Sequence, residues 1–253
     1  MTHYPTNVSN SQWQVIKEYL DNERRRKYSI REMLNAMLYV VKTGCQWRML
    51  PQDFPKWQLV YYYYRKWVEA EVFDRILDKL RSRIRLAKGQ QARATLGIMD
   101  SQSVRWGNNR SFKSYDGNKK IKGIKRHVVV DKNGFLLAVM VTVAHIHDSK
   151  AVIMLMRVLA DSYHSIKTII ADGGYCGSII KEVAEKFGYW LQIVLRKERT
   201  SNTFKPIHKR WIIERTFSWF DNDRRLCRNY ELLMESSEEM VKLSAIKLLL
   251  NKI

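Results

Sequence analysis

The sequence predicts an α/β fold, a mixed five-stranded sheet flanked by helices, preceded by a small all-α domain of helix-turn-helix type. Helical periodicity runs almost unbroken through the first ninety residues. From Thr95 onward, short β-rich runs alternate with helical stretches, and two of those runs, GIMD and TIIAD, stop at an aspartate. Strands and helices alternating in this way build a helix-covered sheet whose ligands sit outside the C-terminal ends of its strands.

Taken in order, Ser11 to Leu20 (SQWQVIKEYL) places Trp13, Ile16 and Leu20 at i, i+3 and i+7, one face of an amphipathic helix. After the basic run ERRRKY, Ser29 opens SIREMLNAMLYVVKTG, where Ser29 and Glu32 form a capping box and Gly44 supplies the stop. PQDFP breaks the chain before a third helix, KWQLVYYYYRKWVEA, and a fourth runs from Glu71 to about Leu86. Short helices with a tight break suit a helix-turn-helix module. The basic stretch RSRIRLAKGQQAR then bridges to a second domain, so the expected division is 1–90 and 91–253.

In that second domain, Thr95 to Met99 is a strand ending at Asp100, and Ile124 to Val130 and Phe135 to Ala144 are hairpin strands turned at Asn133-Gly134. Asp148 is placed to N-cap a helix reaching about Tyr163. Ile166 to Ala171 is a buried strand ending at Asp172, Ser178 to Phe187 a helix, Tyr189 to Leu195 the last strand, and Lys209 to Phe220 the last helix.

With 45 Lys and Arg against 25 Asp and Glu, the formal net charge is +20, which points to a polyanionic partner. The longest apolar run, LLAVMVTVA, is far short of the roughly 20 residues that a bilayer crossing needs. No signal peptide is visible, so the expected location is the cytoplasm, in association with the nucleoid. Cys45, Cys176 and Cys227 are odd in number and widely spaced, which fits reduced thiols rather than a zinc or disulfide framework.

If the strands before Asp100 and Asp172 are neighbours, both carboxylates emerge at one edge of the sheet. Two acids that close repel unless a cation lies between them, and a hard divalent ion such as Mg²⁺ or Mn²⁺ suits oxygen ligands. In RWIIERTFSWF, Ile213, Phe217 and Phe220 share a core stripe, while Arg210, Glu214 and Ser218 line an adjacent face. Glu214 is therefore the candidate third ligand. Three such carboxylates could hold two metal ions for an in-line phosphoryl transfer. Taken singly, an Asp after a strand is an ordinary turn residue and a Glu among arginines a solvated ion pair. His145 and His147 have no third ligand in view and are read as the end of a strand.

Basic residues crowd the same regions. Lys119, Lys120 and Lys122 precede the strand Ile124 to Val130 and Lys125 and Arg126 lie near its start, Arg210 and Arg215 flank Glu214, and Arg224 and Arg225 follow it. An acidic centre rimmed by positive charge suits an enzyme acting on a phosphodiester backbone. In the helical domain, the run Arg24, Arg25 and Arg26 and the helix carrying Tyr62, Arg65 and Lys66 are the candidate contacts to DNA. A tyrosine at helical spacing can equally well be core.

The ordered series GIMDSQSV, KKIKGIKRHVVVD, TVAHIHDSKA, ADGGYCG and RWIIERTFSWFDNDRRLCRNYE resembles the DDE transposases of bacterial insertion sequences, in the insertion sequence five group. The N-terminal segments SQWQVIKEYL and YSIREMLNAMLYVVKTGCQWRMLPQDFPKW are similar to that group's helical domain. The resemblance implies an RNase H-like core, with Asp100, Asp172 and Glu214 as the metal-binding triad and two Mg²⁺ or Mn²⁺ ions as cofactors. It also implies double-stranded DNA as partner, cleavage at terminal inverted repeats to give 3′-OH groups, transfer of those groups to target DNA, and a dimer or larger assembly at synapsis. One departure stands out. In the group's signature of Tyr, Arg, Glu and Lys, Arg210 and Glu214 fit, but Ile207 and Asp221 occupy the Tyr and Lys positions. Two other readings stay open, a stand-alone metal-dependent nuclease and a DNA-binding regulator that has lost its chemistry.

Overall fold

The computed structural model describes residues 4–20, 27–175, 177–194 and 210–253. The chain divides into two compact units, Met1–Ala92 with Phe220–Arg228 and Glu239–Ile253, and Arg93–Trp219 with Asn229–Glu238.

The helical unit contains α1 (Asn10–Leu20), α2 (Ile30–Thr43), α3 (Trp57–Glu69) and α4 (Val72–Ala87). The Ser29–Glu32 capping box is formed at the start of α2, and Gly44 ends the helix in left-handed backbone. A side chain at Gly44 would also meet Arg224 Cβ at 3.0 Å. Val60, Tyr64 and Trp67 bury one face of α3, and Tyr64 and Trp67 both pack on Phe73 of α4. Ala70 and Glu71 make the tight break between α3 and α4, with Glu71 at φ 50.

Two later segments complete this unit: a 3₁₀ turn at Arg224–Leu226 and the second half of α8 (Met234–Leu250), a helix beyond the last one expected from sequence. The buried Asp223 ties them together, ion-paired to Lys247 at 2.7 Å and accepting a hydrogen bond from Ser244 Oγ at 2.6 Å.

The second unit is built on a sheet of β1 (Leu96–Arg105), β2 (Ser114–Asp116), β3 (Ile121–Val130), β4 (Leu136–Val143), β5 (Thr168–Asp172) and β6 (Trp190–Val194). Strand order is β2-β3-β1-β5-β6, with β4 also paired to β3. β3 runs antiparallel to both β1 and β4, whereas β5 and β6 run parallel to β1. Three antiparallel strands followed by two parallel ones on the far side of the first is the RNase H-like arrangement. β2 is an addition to the five expected strands.

The β3–β4 turn is locked by Asp131, whose Oδ1 accepts from Asn133 N and Phe135 N, and by Gly134 at φ 83. α5 (Asp148–Ser162) and α6 (Ile179–Phe187) cover one face of the sheet through a core that includes Met99, Val129, Leu155, Ile169 and Val183. The N-cap of α5 is His147, whose ring Nδ1 accepts from Ser149 N, and not Asp148 as expected. Asp148 lies in the first turn and is held by Lys125 instead. His145 and His147 follow the end of β4, and His145 N donates to Ser114 Oγ at 2.7 Å.

Candidate active site

β1 does not end at Asp100. It runs five residues further, because the polar stretch after Met99 is paired along its length with β3 up to Arg105↔Gly123. The carboxylates converge for a different reason. β1 and β5 pair in parallel from Leu96↔Thr168 to Ile98↔Ile170 and part there, and the same offset sets Asp100 level with Asp172. Positions level in a parallel ladder share a face. The two acids line one cleft with Ile98, Met99, Ile170, Ala171 and Val194.

Each carboxylate is oriented by backbone. Asp100 Oδ1 accepts from Ser101 N at 2.7 Å, and Asp172 Oδ1 accepts from Gly174 N at 3.0 Å. A Cβ on Gly174 would stand 3.1 Å from that same oxygen, so glycine permits the close approach. Beside the pair lies Tyr175, buried at 1% exposure. Burial pushes its phenol well above the ordinary range, and the charges of Asp148, Asp100 and Asp172 push it further. The tyrosine stays neutral in the apolar core that also holds Leu155 and Val183, a position that sequence reading did not assign. Its spacing three residues after Asp172 was the available signal.

Glu214 is exposed on α7 (Arg210–Asp221), whose buried side chains include Ile213, Phe217 and Phe220, the stripe read from the sequence. α7 is anchored on the β3–β4 turn, with Thr216 Oγ1 donating to Gly134 O and Arg215 Nη2 to Asn133 O. Glu214 is not among the residues lining the Asp100–Asp172 cleft. Among the described residues no three of His, Cys, Asp and Glu are gathered closely enough to hold an ion. The aspartate pair alone still fits a hard divalent ion, since it offers carboxylate oxygens held on one side of a narrow cleft.

On the α5 side of the sheet lies a second polar cluster. Lys125, 5% exposed, is ion-paired with Asp148 at 3.2 Å and Asp116 at 3.6 Å and donates to Ile146 O at 2.9 Å. Asp116 also accepts from Ser103 Oγ at 2.6 Å. Burial alone would raise the Asp116 carboxyl, but Ser103, the amides of Lys119 and Asn118 and the Lys125 charge together hold it below the usual range. His127 Nε2 lies 3.0 Å from Thr142 Oγ1. Burial lowers its pKa to about 4; Asp148 opposes that shift, while Lys125 and Lys119 add to it.

Neutral His127 has a measurable consequence. Between about pH 6.5 and about pH 4 the unfolded chain takes up a proton that the folded chain refuses. Stability is therefore lost as pH falls through that window, by up to roughly 1.4 kcal/mol per pH unit. His127→Gln is expected to flatten this part of a urea-stability profile; an unchanged acid slope would mean that His127 is protonated in the fold.

The residues read as DNA contacts differ in exposure. Tyr62 (58% exposed) and Lys66 are exposed on α3, where Arg65 pairs with Glu69 at 3.5 Å; Lys119, Lys120, Lys122 and Arg224 are exposed as well. Lys125, Arg126 and Arg225, read from the sequence as DNA contacts, are buried in the fold. Arg225 Nη1 donates to Cys45 O at 3.2 Å, and Arg126 sits across from Gln102, on the sheet face that carries Asp100. Arg215 is sandwiched between Trp211 and Trp219 at 4.7 and 4.6 Å from their ring centroids. Arg24, Arg25 and Arg26 and the side chain of Arg210 lie outside the described residues.

The family model described as "Transposase DDE domain" matches residues 91–241. A second, described as "Putative transposase of IS4/5 family", matches residues 8–77. A relative from Burkholderia cepacia, "Putative transposase for insertion sequence element IS402", is 27% identical over 141 residues, which is 53% of this chain and 64% of that protein. The chain thus spans under two thirds of that relative's length. Among solved structures, a Mos1 transposase paired-end complex with the left transposon end aligns over 68% of this chain and 61% of its own, at 12% identity and a TM-score of 0.27.

Proposed function

Because the chain belongs to the transposase DDE-domain family, we propose that it binds the terminal inverted repeats of an insertion sequence, cleaves DNA there to release 3′-OH groups and transfers them to target DNA. The observation that carries this reading is the level pair Asp100 and Asp172, lining one cleft where β1 and β5 part. An acidic cleft in a protein of net charge +20 suits the handling of a polyanion through bound cations.

A DDE domain implies dependence on a divalent metal. In this reading Asp100 and Asp172 hold two ions, Mg²⁺ or Mn²⁺, together with Glu214, which lies outside the cleft in this structure and joins them when ions and DNA bind. When bound, such ions lower the pKa of an attacking water or hydroxyl and stabilise charge on the phosphoryl oxygens. The protein's own part is positional. Gly174 N and Ser101 N hold the two aspartates in place.

Lys119, Lys120 and Lys122 are exposed for phosphate contacts, as is Arg224 in the helical unit. Tyr62, Arg65 and Lys66 on α3 meet the element ends, with Arg24, Arg25, Arg26 and Arg210 as further basic contacts. Joining two ends requires at least two copies in one assembly. No helix among the described residues is long and apolar enough to cross a membrane.

Strand joining tests the proposal. The protein, Mg²⁺ and a labelled duplex ending in the element's own terminus at a free 3′-OH are incubated with supercoiled plasmid. Label covalently joined to plasmid is expected. Cleavage without joining would make the chain a nuclease, and binding with neither would make it a regulator.

A further inference from the structure

Beyond β1 the chain makes a short loop, 107–113, that none of the chemistry above uses. It is held rigidly. Trp106 Nε1 donates to Asn109 O at 2.9 Å and to Asn109 Oδ1 at 2.8 Å, and Ser111 N and Oγ donate to the same Oδ1. Asn108 adopts left-handed backbone at φ 61. Gly107 N donates to Asn229 O at 2.9 Å, and a Cβ at Gly107 would collide with Asn229 O and the Tyr230 ring, both 2.6 Å away.

What this scaffold displays is Phe112, 72% exposed. A single exposed ring is ordinary on a protein surface; what sets Phe112 apart is a braced loop that presents it among cations. Its surroundings specify the partner. Arg110 is exposed on the same loop, Lys113 Nζ stands 3.6 Å from the Trp106 ring centroid, and Lys122 Nζ stands 5.8 Å from it. The nearby acid, Asp116, is buried and engaged by Lys125 and Ser103. An apolar ring flanked by cations matches stacked bases flanked by phosphates, whereas a protein partner would offer the cations no regular row of anions.

Position agrees with that partner. Trp106 lies six residues along the strand from Asp100, which at about 3.3 Å per residue is roughly 20 Å, the span of about six stacked base pairs.

We infer that loop 107–113 is a DNA wedge, in which Phe112 stacks into a duplex opened near the cleavage site while Arg110 and Lys113 hold the flanking phosphates. This rests on the reading of the chain as an enzyme acting on DNA. The wedge bears the cost of unstacking and is rewarded wherever a base is already missing.

The test measures affinity of the full chain, without metal, for a perfectly paired duplex and for the same duplex with one abasic site. The parent is expected to favour the abasic duplex by about tenfold, the effect of one base–aromatic stack. Phe112→Ala should remove that preference while keeping affinity for the paired duplex within about twofold, and Phe112→Trp should restore it. Because Phe112 is largely in solvent, these variants spare the fold. Equal affinity of the parent for both duplexes, or a preference that survives Phe112→Ala, overturns the wedge and leaves the proposed function standing. Failure to bind either duplex overturns both. If Phe112→Ala instead abolishes self-association in sedimentation and leaves the duplex preference intact, the loop is a contact between copies.

Discussion

Asp172→Asn is expected to reduce metal-dependent cleavage of element-end DNA by about 10³-fold or more, while DNA affinity changes by less than about threefold. The magnitude follows from the several kcal/mol that metal ligation contributes to a phosphoryl-transfer transition state, at one factor of ten per 1.4 kcal/mol. The separation follows from geometry. Asp172 lies in the cleft shared with Asp100, and the exposed lysines Lys119, Lys120 and Lys122 are elsewhere on the chain. Asparagine keeps the shape and can still accept from Gly174 N, so the turn after β5 survives. A gel shift and a nicking assay on the same preparation read both quantities. Full cleavage by the variant would remove Asp172 from the chemistry and return it to the role of a turn residue. Loss of binding together with cleavage would mean that the substitution damages the fold.

The second large effect is on stability. Lys125→Ala is expected to cost about 3–5 kcal/mol, because it strands Asp116 and Asp148 without the cation that both share. Urea unfolding measures it. Lys125→Met should cost nearly as much, since it restores volume but not charge, whereas Lys120→Ala, at an exposed position, should cost under about 0.5 kcal/mol. If Lys125→Ala is as stable as the parent yet binds DNA weakly, the ammonium faces DNA and not the interior. That result would reverse the assignment made from its 5% exposure.

Lys125 also shows where reading a sequence stops. In KKIKGIKRHVVVD a run of cations looks like a solvated, DNA-facing stretch. β3 begins at Ile121, three residues before the expected strand, and the side chains of Lys125, Arg126 and His127 are buried within it. Their acceptors, Asp116 and Asp148, lie in other elements, so nothing local announces the pairing. The strand expected at β1 stops short of the observed one for a related reason. DSQSVR lacks apolar character, yet its backbone is paired with β3 as fully as the apolar half, and Ser103 supplies a hydroxyl to Asp116.

Features set by short-range chemistry were legible. The Ser29–Glu32 capping box, the Gly44 stop, the Asn133-Gly134 turn and the buried stripe of α7 depend on residues within one turn of each other. The aspartate pair was legible in part. Both acids were identified, but the reason they meet is that β1 and β5 separate after Ile98 and Ile170, a property of two strands seventy-two residues apart in sequence. The return of Phe220–Arg228 and Glu239–Ile253 to the helical unit has no local signature, because it is recorded only in long-range contacts such as Lys247 with Asp223 and Lys242 with Asp74.

Whether Asp100, Asp172 and Glu214 act as one metal site is decided by Mn²⁺ binding, followed by electron paramagnetic resonance in the presence of element-end DNA. The parent is predicted to bind two ions, and Asp100→Asn, Asp172→Asn and Glu214→Gln are each predicted to weaken that binding by about tenfold or more. A Glu214→Gln variant that binds Mn²⁺ as the parent does would contradict the three-carboxylate site, leaving a two-aspartate cleft whose third ligand lies elsewhere.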